Sequence, residues 1–186
     1  MQGFASVGRI AVEPFKGAPH TVRHIKRVAL AAQTHYPLRL LAEDICGQLG
    51  SKDFLSEILA IYYWVLSHTR YANDPRTVEL VRGPGDPLER LKAAIERLRS
   101  GWRPSLDCDD MTALLVALFL SMGREVRILT VAFKDAFFNN QRQYQHVYIQ
   151  VREPRSGQWI VLDPVSAESA GEMLRRVKAV KIWPIA

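Results

Sequence analysis

Between Met111 and Met122 the chain is apolar on nearly every side. A segment of that kind is stable in water only as a helix buried at the centre of a domain, with other elements covering it all round. Its apolar run, Ala113 to Leu120, is far too short to cross a bilayer. Gly123 closes it as a C-terminal cap. The rest of the sequence is therefore read for what could cover such a helix.

Upstream the period is helical. Val22, Ile25, Val28, Ala29 and Ala32 recur at spacings of three and four, which makes one buried stripe. Pro37 fits the first turn of a second helix, with Leu38, Leu41, Ile45 and Leu49 facing inward. Ser51 and Asp53 are cap candidates for an apolar third helix, Phe54 to His68. Asn73-Asp74-Pro75 and Gly83-Pro84-Gly85 break the pattern in a loop running from Arg70 to Gly85. Asp86 and Glu89 then have capping-box spacing around Pro87, and Leu88, Leu91, Ile95 and Leu98 form the next apolar face. Ser100 to Leu106 reads as a second loop.

Downstream the period changes to two. Val126 to Val131 is rich in β-formers, Tyr144 to Val151 alternates, and Trp159 to Leu162 follows a turn at Pro154 and Gly157. Ser166 to Val180 reads as a closing helix, basic at its C-terminal end. Helices first and an antiparallel sheet afterwards predict an α+β fold. With 186 residues, one domain is expected. It divides into a helical N-terminal extension (1–50), a core (51–165) and a C-terminal helix and tail (166–186).

Two cysteines, Cys46 and Cys108, supply no disulfide framework and no zinc spacing. The formal charge of +6 favours acidic partners such as nucleic acid or anionic surfaces. Its densest groups, however, sit at helical spacing (Arg23, Lys26, Arg27; Arg175, Arg176, Lys178, Lys181), as expected of solvated helix faces. No nucleic-acid motif is present, so nucleic acid is not an expected partner. Met1 to Pro19 lacks the apolar stretch of a signal peptide, and no membrane insertion is expected.

The chemistry-bearing residues begin with Asp107-Cys108-Asp109-Asp110 at the start of the central helix. A thiol there feels the positive end of the helix dipole, which favours thiolate, and nearby N–H groups can donate to an oxyanion. Three neighbouring carboxylates oppose the thiolate, so a cationic partner is needed. His146, on the polar face of its strand with Tyr144, Tyr148 and Gln150, can supply it. If the hairpin turn is centred between Arg155 and Ser156, Asp163 lies opposite Tyr148, on the same face as His146. Diagonal neighbours of that kind are ~7–8 Å apart at the backbone, within reach of a carboxylate–imidazole bond. A slip of one residue would put Asp163 on the other face. Cys46, among Leu41, Ile45 and Leu49, reads as structural. Asp107, Asp109 and Asp110 lack calcium-loop spacing, so capping and solvation are expected of them, with no metal and no cofactor.

At these residues the sequence resembles the transglutaminase-like superfamily of the papain-like fold, especially its short bacterial and phage versions. The matching stretches are Asp107 to Asp110 with the helix after it, His146-Val147-Tyr148-Ile149-Gln150-Val151, and Trp159-Ile160-Val161-Leu162-Asp163-Pro164. Trp64-Val65 and Arg70 to Pro75 match the helix and loop upstream. Leu106 stands where many relatives carry glycine. The resemblance implies a cysteine helix packed on a small antiparallel sheet and thiol acyl-transfer chemistry on a peptide or protein amide. It assigns Cys108, His146 and Asp163 as the catalytic set, with Tyr71, or else Trp102, as a second oxyanion donor. With no disulfide framework a reduced compartment is expected, the cytoplasm of a bacterial host, with incorporation into a phage virion as the alternative. The resemblance also raises an alternative, a phage tail or baseplate component that contacts other virion proteins or is directed at the cell wall; a basic nucleic-acid-binding protein is a further alternative, with only the net charge behind it.

Overall fold

The computed structural model describes residues 17–50, 52–72, 87–138, 140–165, 169–172 and 174–185. Five helices are followed by a sheet: α1 (Ala18–Ala32), α2 (Tyr36–Cys46), α3 (Phe54–His68), α4 (Pro87–Arg99) and α5 (Cys108–Ser121). Helix α5 is the apolar segment, and every residue from Asp109 to Phe119 is buried. Gly123, at φ 67, turns the chain out of it into the first long strand.

Each covering helix forms where its apolar spacing predicts. Val22, Ile25, Val28, Ala29 and Ala32 of α1 are all buried, in one core with α5. Leu38 and Leu41 of α2 join them, while Leu49 lies past that helix's end. Asp53 caps α3 by accepting a bond of 3.2 Å from the Ser56 amide. Leu91, Ile95 and Leu98 carry α4 into the same core. Ser51, Asp86 and the breakers at Asn73-Asp74-Pro75 and Gly83-Pro84-Gly85 lie outside the described residues.

The sheet covers the remaining side of α5. Its strands are β3 (Val126–Ala132), β6 (His146–Arg152), β7 (Trp159–Leu162) and β8 (Ala179–Pro184), in the order β7-β6-β3-β8 and antiparallel throughout. Two short strands, β1 (Arg70–Tyr71) and β2 (Ser105–Leu106), pair in parallel ahead of α5, so the expected loop at Ser100 to Leu106 ends in a strand. Between β3 and β6 lies a small hairpin of β4 (Phe137–Phe138) and β5 (Gln141–Arg142). The fold is α+β, as the sequence predicts. No helix of the described residues is long and apolar enough to cross a membrane.

Two expectations fail together. The closing helix over Ser166 to Val180 does not form among the described residues. Instead the Gly171 amide bonds the Val161 carbonyl (2.7 Å) and the Lys178 amide bonds the Ala132 carbonyl (2.8 Å), so the described residues 169–172 and 174–178 strap across the outer face of the sheet. The chain then enters β8 beside β3. Gly171 (φ 84) and Arg176 (φ 59) hold backbone angles that no helix contains. The basic group Arg175, Arg176, Lys178, Lys181 is therefore no helix face. Nor is the outer sheet face solvated: Leu174 and Val177 of the strap pack on Leu129, Val131, Tyr148 and Val161.

One hydrogen bond ties the first turns of α5 to the sheet. The buried Thr112 hydroxyl donates to the Val147 carbonyl at 3.2 Å. Thr112→Val keeps the shape but loses this bond. It should lower unfolding free energy by about 1–2 kcal/mol in urea melts with an unchanged denaturant slope.

Candidate active site

The entrance to α5 is fixed by backbone bonds. The Arg70 amide donates to the Pro104 carbonyl (2.8 Å) and the Ala72 amide to the Leu106 carbonyl (3.0 Å). Asp107 is extended (φ −89, ψ −173), and its carboxylate accepts from the Asp110 amide at 3.1 Å. That is an N-cap, and it sets Cys108 as the first residue of the helix. The Cys108 side chain is partly exposed in an otherwise buried helix.

His146 opens β6 opposite Val131. The β6–β7 ladder pairs Ile149 with Leu162 and Arg152 with Trp159, so one further step sets Asp163 opposite Tyr148. This is the register of a turn centred between Arg155 and Ser156. The His146 Nε2 and the Asp163 Oδ2 are 2.8 Å apart, with both side chains buried. The His146 ring lies between Phe133 and Tyr148, with centroids at 6.3 and 5.9 Å.

Asp163 is itself held at two other points. Its second carboxylate oxygen accepts from the Val165 amide at 3.0 Å. Its carbonyl accepts from the Tyr62 hydroxyl at 2.8 Å, a contact from α3. Burial, and then the Asp163 charge, push the Tyr62 phenol up to about 12, so it stays a donor at any physiological pH. Tyr62 and Thr112 are positioning residues that sequence reading passed over. A buried tyrosine in an apolar helix does signal that its hydroxyl needs a partner, but does not say which.

Cys108 and His146 share a cavity of about 280 Å³, with Ala18 and Thr21 of α1 and with Asp109, Thr130 and Gln145 also on its walls. Asp163 stands behind His146, bonded to it. Tyr71, 46% exposed, sits opposite Leu106 in the β1–β2 pair. Burial raises its phenol pKa first, and the charges of Cys108, Asp107 and Asp163 raise it further, which puts Tyr71 in the field of the site. Trp102 lies elsewhere in its contacts: its ring packs under the Arg97 guanidinium at 5.2 Å, at the end of α4.

Asp107, Asp109 and Asp110 bring one carboxylate oxygen each within 4.8 Å of one another. Solvation, expected for all three, does not describe Asp109 and Asp110, which are buried (2% and 0% exposed). The N-terminal dipole of α5 favours carboxylates in its first turn, so their gathering there has a cause without a cation.

A cysteine at a helix start thus shares a cavity with a histidine that is bonded to an aspartate just past the end of the next strand. The chain belongs to the transglutaminase-like superfamily, whose core model matches residues 41–164. Among solved structures it is similar to a candidate cysteine protease from Cytophaga hutchinsonii, at 19% identity and TM-score 0.44, covering 79% of this chain and 46% of that one. It is also similar to a candidate protease from Parabacteroides distasonis, at 12% identity and TM-score 0.46, covering 91% of this chain and 32% of that one. The chain thus spans less than half the length of either. No curated protein matches the sequence.

Cys46 is the internal control. It is partly buried near the end of α2, and burial, with Glu57 beside it, pushes its thiol up to about 11. At pH 7 only ~10⁻⁴ of it is thiolate. Its alkylation by iodoacetamide, followed by peptide mass spectrometry, should climb about tenfold per pH unit from pH 7 to 10. A plateau below pH 9 would contradict this assignment.

Proposed function

We propose that the protein is a thiol-dependent amide hydrolase or acyl transferase, peptidase-like, with Cys108 as nucleophile, His146 as acid and base, and Asp163 orienting the imidazole. The observation that carries this reading is the buried 2.8 Å bond between His146 and Asp163, on the wall of the cavity that Cys108 also lines. A carboxylate on Nε2 fixes the tautomer and leaves Nδ1 as the nitrogen that exchanges protons with the thiol. The same carboxylate, buried together with the ring, holds the imidazole in one orientation.

The chemistry follows in two halves. The Cys108 sulfur adds to the amide carbonyl, and the oxyanion is met by amides at the start of α5, with Tyr71 as the candidate second donor. The C–N bond breaks as His146 gives its proton to the leaving amine, and the acyl group stays on sulfur as a thioester. Water or an amine then attacks the thioester, with His146 taking the proton. Hydrolysis returns a carboxylic acid, and attack by an amine returns a new amide. The amide is that of a peptide or protein.

Cys108 should react with iodoacetamide at pH 7 faster than free cysteine, and His146→Ala should slow it to the level of Cys46 or of an ordinary thiol. On a cleavable peptide amide, Cys108→Ala should leave no measurable turnover, and Asp163→Asn should lower kcat by ~10²–10⁴-fold. Equal, slow labelling of Cys108 and Cys46 would sink the enzymatic reading. The structural alternative, a virion component on the same fold, predicts that outcome together with unaltered assembly of Cys108→Ala.

A further inference from the structure

One wall of the cavity continues into a held positive charge. Thr130, on β3, lines the cavity and pairs across the ladder with Lys181 of β8, so the two share a sheet face. Two residues on, the Trp183 indole N–H donates to the Thr130 hydroxyl at 2.9 Å, which pins the indole ring beside the same wall. The Lys181 ammonium rests over that ring, 4.0 Å from its centroid. Lys181 is exposed, and among the described residues no carboxylate pairs with it.

A lysine on an edge strand has an ordinary use, to discourage pairing with another sheet. That use requires only that the charge point outward. It does not require an indole tethered to a cavity-lining hydroxyl and set beneath the ammonium. The tether converts a mobile charge into one with a fixed place: cation–π contact holds the ammonium while its N–H groups remain turned to solvent. The exposed Arg39 and Arg152, by contrast, are each neutralised by a carboxylate, Glu43 and Glu125.

The geometry points to Thr130, Trp183 and Lys181 as a carboxylate-recognising ledge beside Cys108, so that the preferred substrates carry a carboxylate close to the scissile amide. This rests on the reading of Cys108 as the reactive thiol and adds the substrate class to it. The carboxylate could belong to an acidic side chain or to a peptide C-terminus; the recognising chemistry is the same.

Two alkylating agents of nearly equal size test this without a known substrate, because iodoacetate carries the charge that iodoacetamide lacks. The ratio of their rates at Cys108 should fall roughly threefold in Lys181→Met, as expected for loss of one solvent-screened charge near the thiol. Lys181→Arg should keep the ratio, and Trp183→Phe, which lacks the indole N–H, should lower it. An unchanged ratio in Lys181→Met, with Cys108 still fast toward iodoacetamide, overturns the ledge and leaves the nucleophile standing. A Cys108 slow toward both reagents overturns the nucleophile and the ledge with it. Protection of Cys108 from iodoacetamide by short peptides assigns the source. Ala-Glu-Ala-amide protecting alone identifies a side-chain carboxylate, and Ala-Gln-Ala free acid protecting alone identifies a terminal one. Protection by both means that either carboxylate is accepted. Equal protection by uncharged Ala-Gln-Ala-amide, or protection by none, rejects the ledge.

Discussion

Helix α5 has no side that water can solvate, and the layers of the molecule follow from covering it. Helices α1, α2 and α3 take one side and β6 another, and the buried residues merge into one core. Burial of this kind, about 25 cal/mol for each Å² of apolar surface removed from water, is the main source of stability available to the chain. It also has a positional effect. A helix gripped on every side cannot slide or roll, so its first residue is held in place as firmly as its middle. The thiol of Cys108 gains its fixed position from packing that begins three residues later, at Met111, and from the Thr112 bond to β6.

The second constraint is electrostatic. A carboxylate buried as fully as Asp163 is stable only with its oxygens satisfied, and here one faces His146 and the other the Val165 amide. Removing one partner of such a buried pair costs more than the pair itself contributes, because the remaining charge is stranded. That asymmetry binds the imidazole to one orientation. Phe133 and Tyr148 flank the ring and limit how it can tilt.

Much of this was readable from residues close in sequence. The β6–β7 register is set by a short turn and by alternation, so the meeting of His146 with Asp163 could be argued from spacing alone, and the ladder agrees. The five helices announce themselves through apolar periodicity and caps. What failed was the outer face. Tyr148 looks like part of a polar face because its cover comes from Leu174 and Val177, and no local pattern shows a strap arriving from further along the chain. Arg175, Arg176 and Lys178 carry helical spacing, but Arg176 turns to φ 59 and the Lys178 amide bonds the Ala132 carbonyl of β3. Tyr62 and Thr112 escaped for the same reason: each has a partner far away in the chain, at Asp163 and Val147.

The strap has a consequence in time as well as in space. A chain emerging from the ribosome folds from its N-terminal side at the pace of synthesis. Helices α1 to α5 and the β6–β7 hairpin can assemble while residues beyond Asp163 are still being added. Until the segment ending in β8 crosses the sheet, Tyr148 and Val161 lie uncovered. The outer layer of the sheet is in this way closed by residues made after everything that it covers.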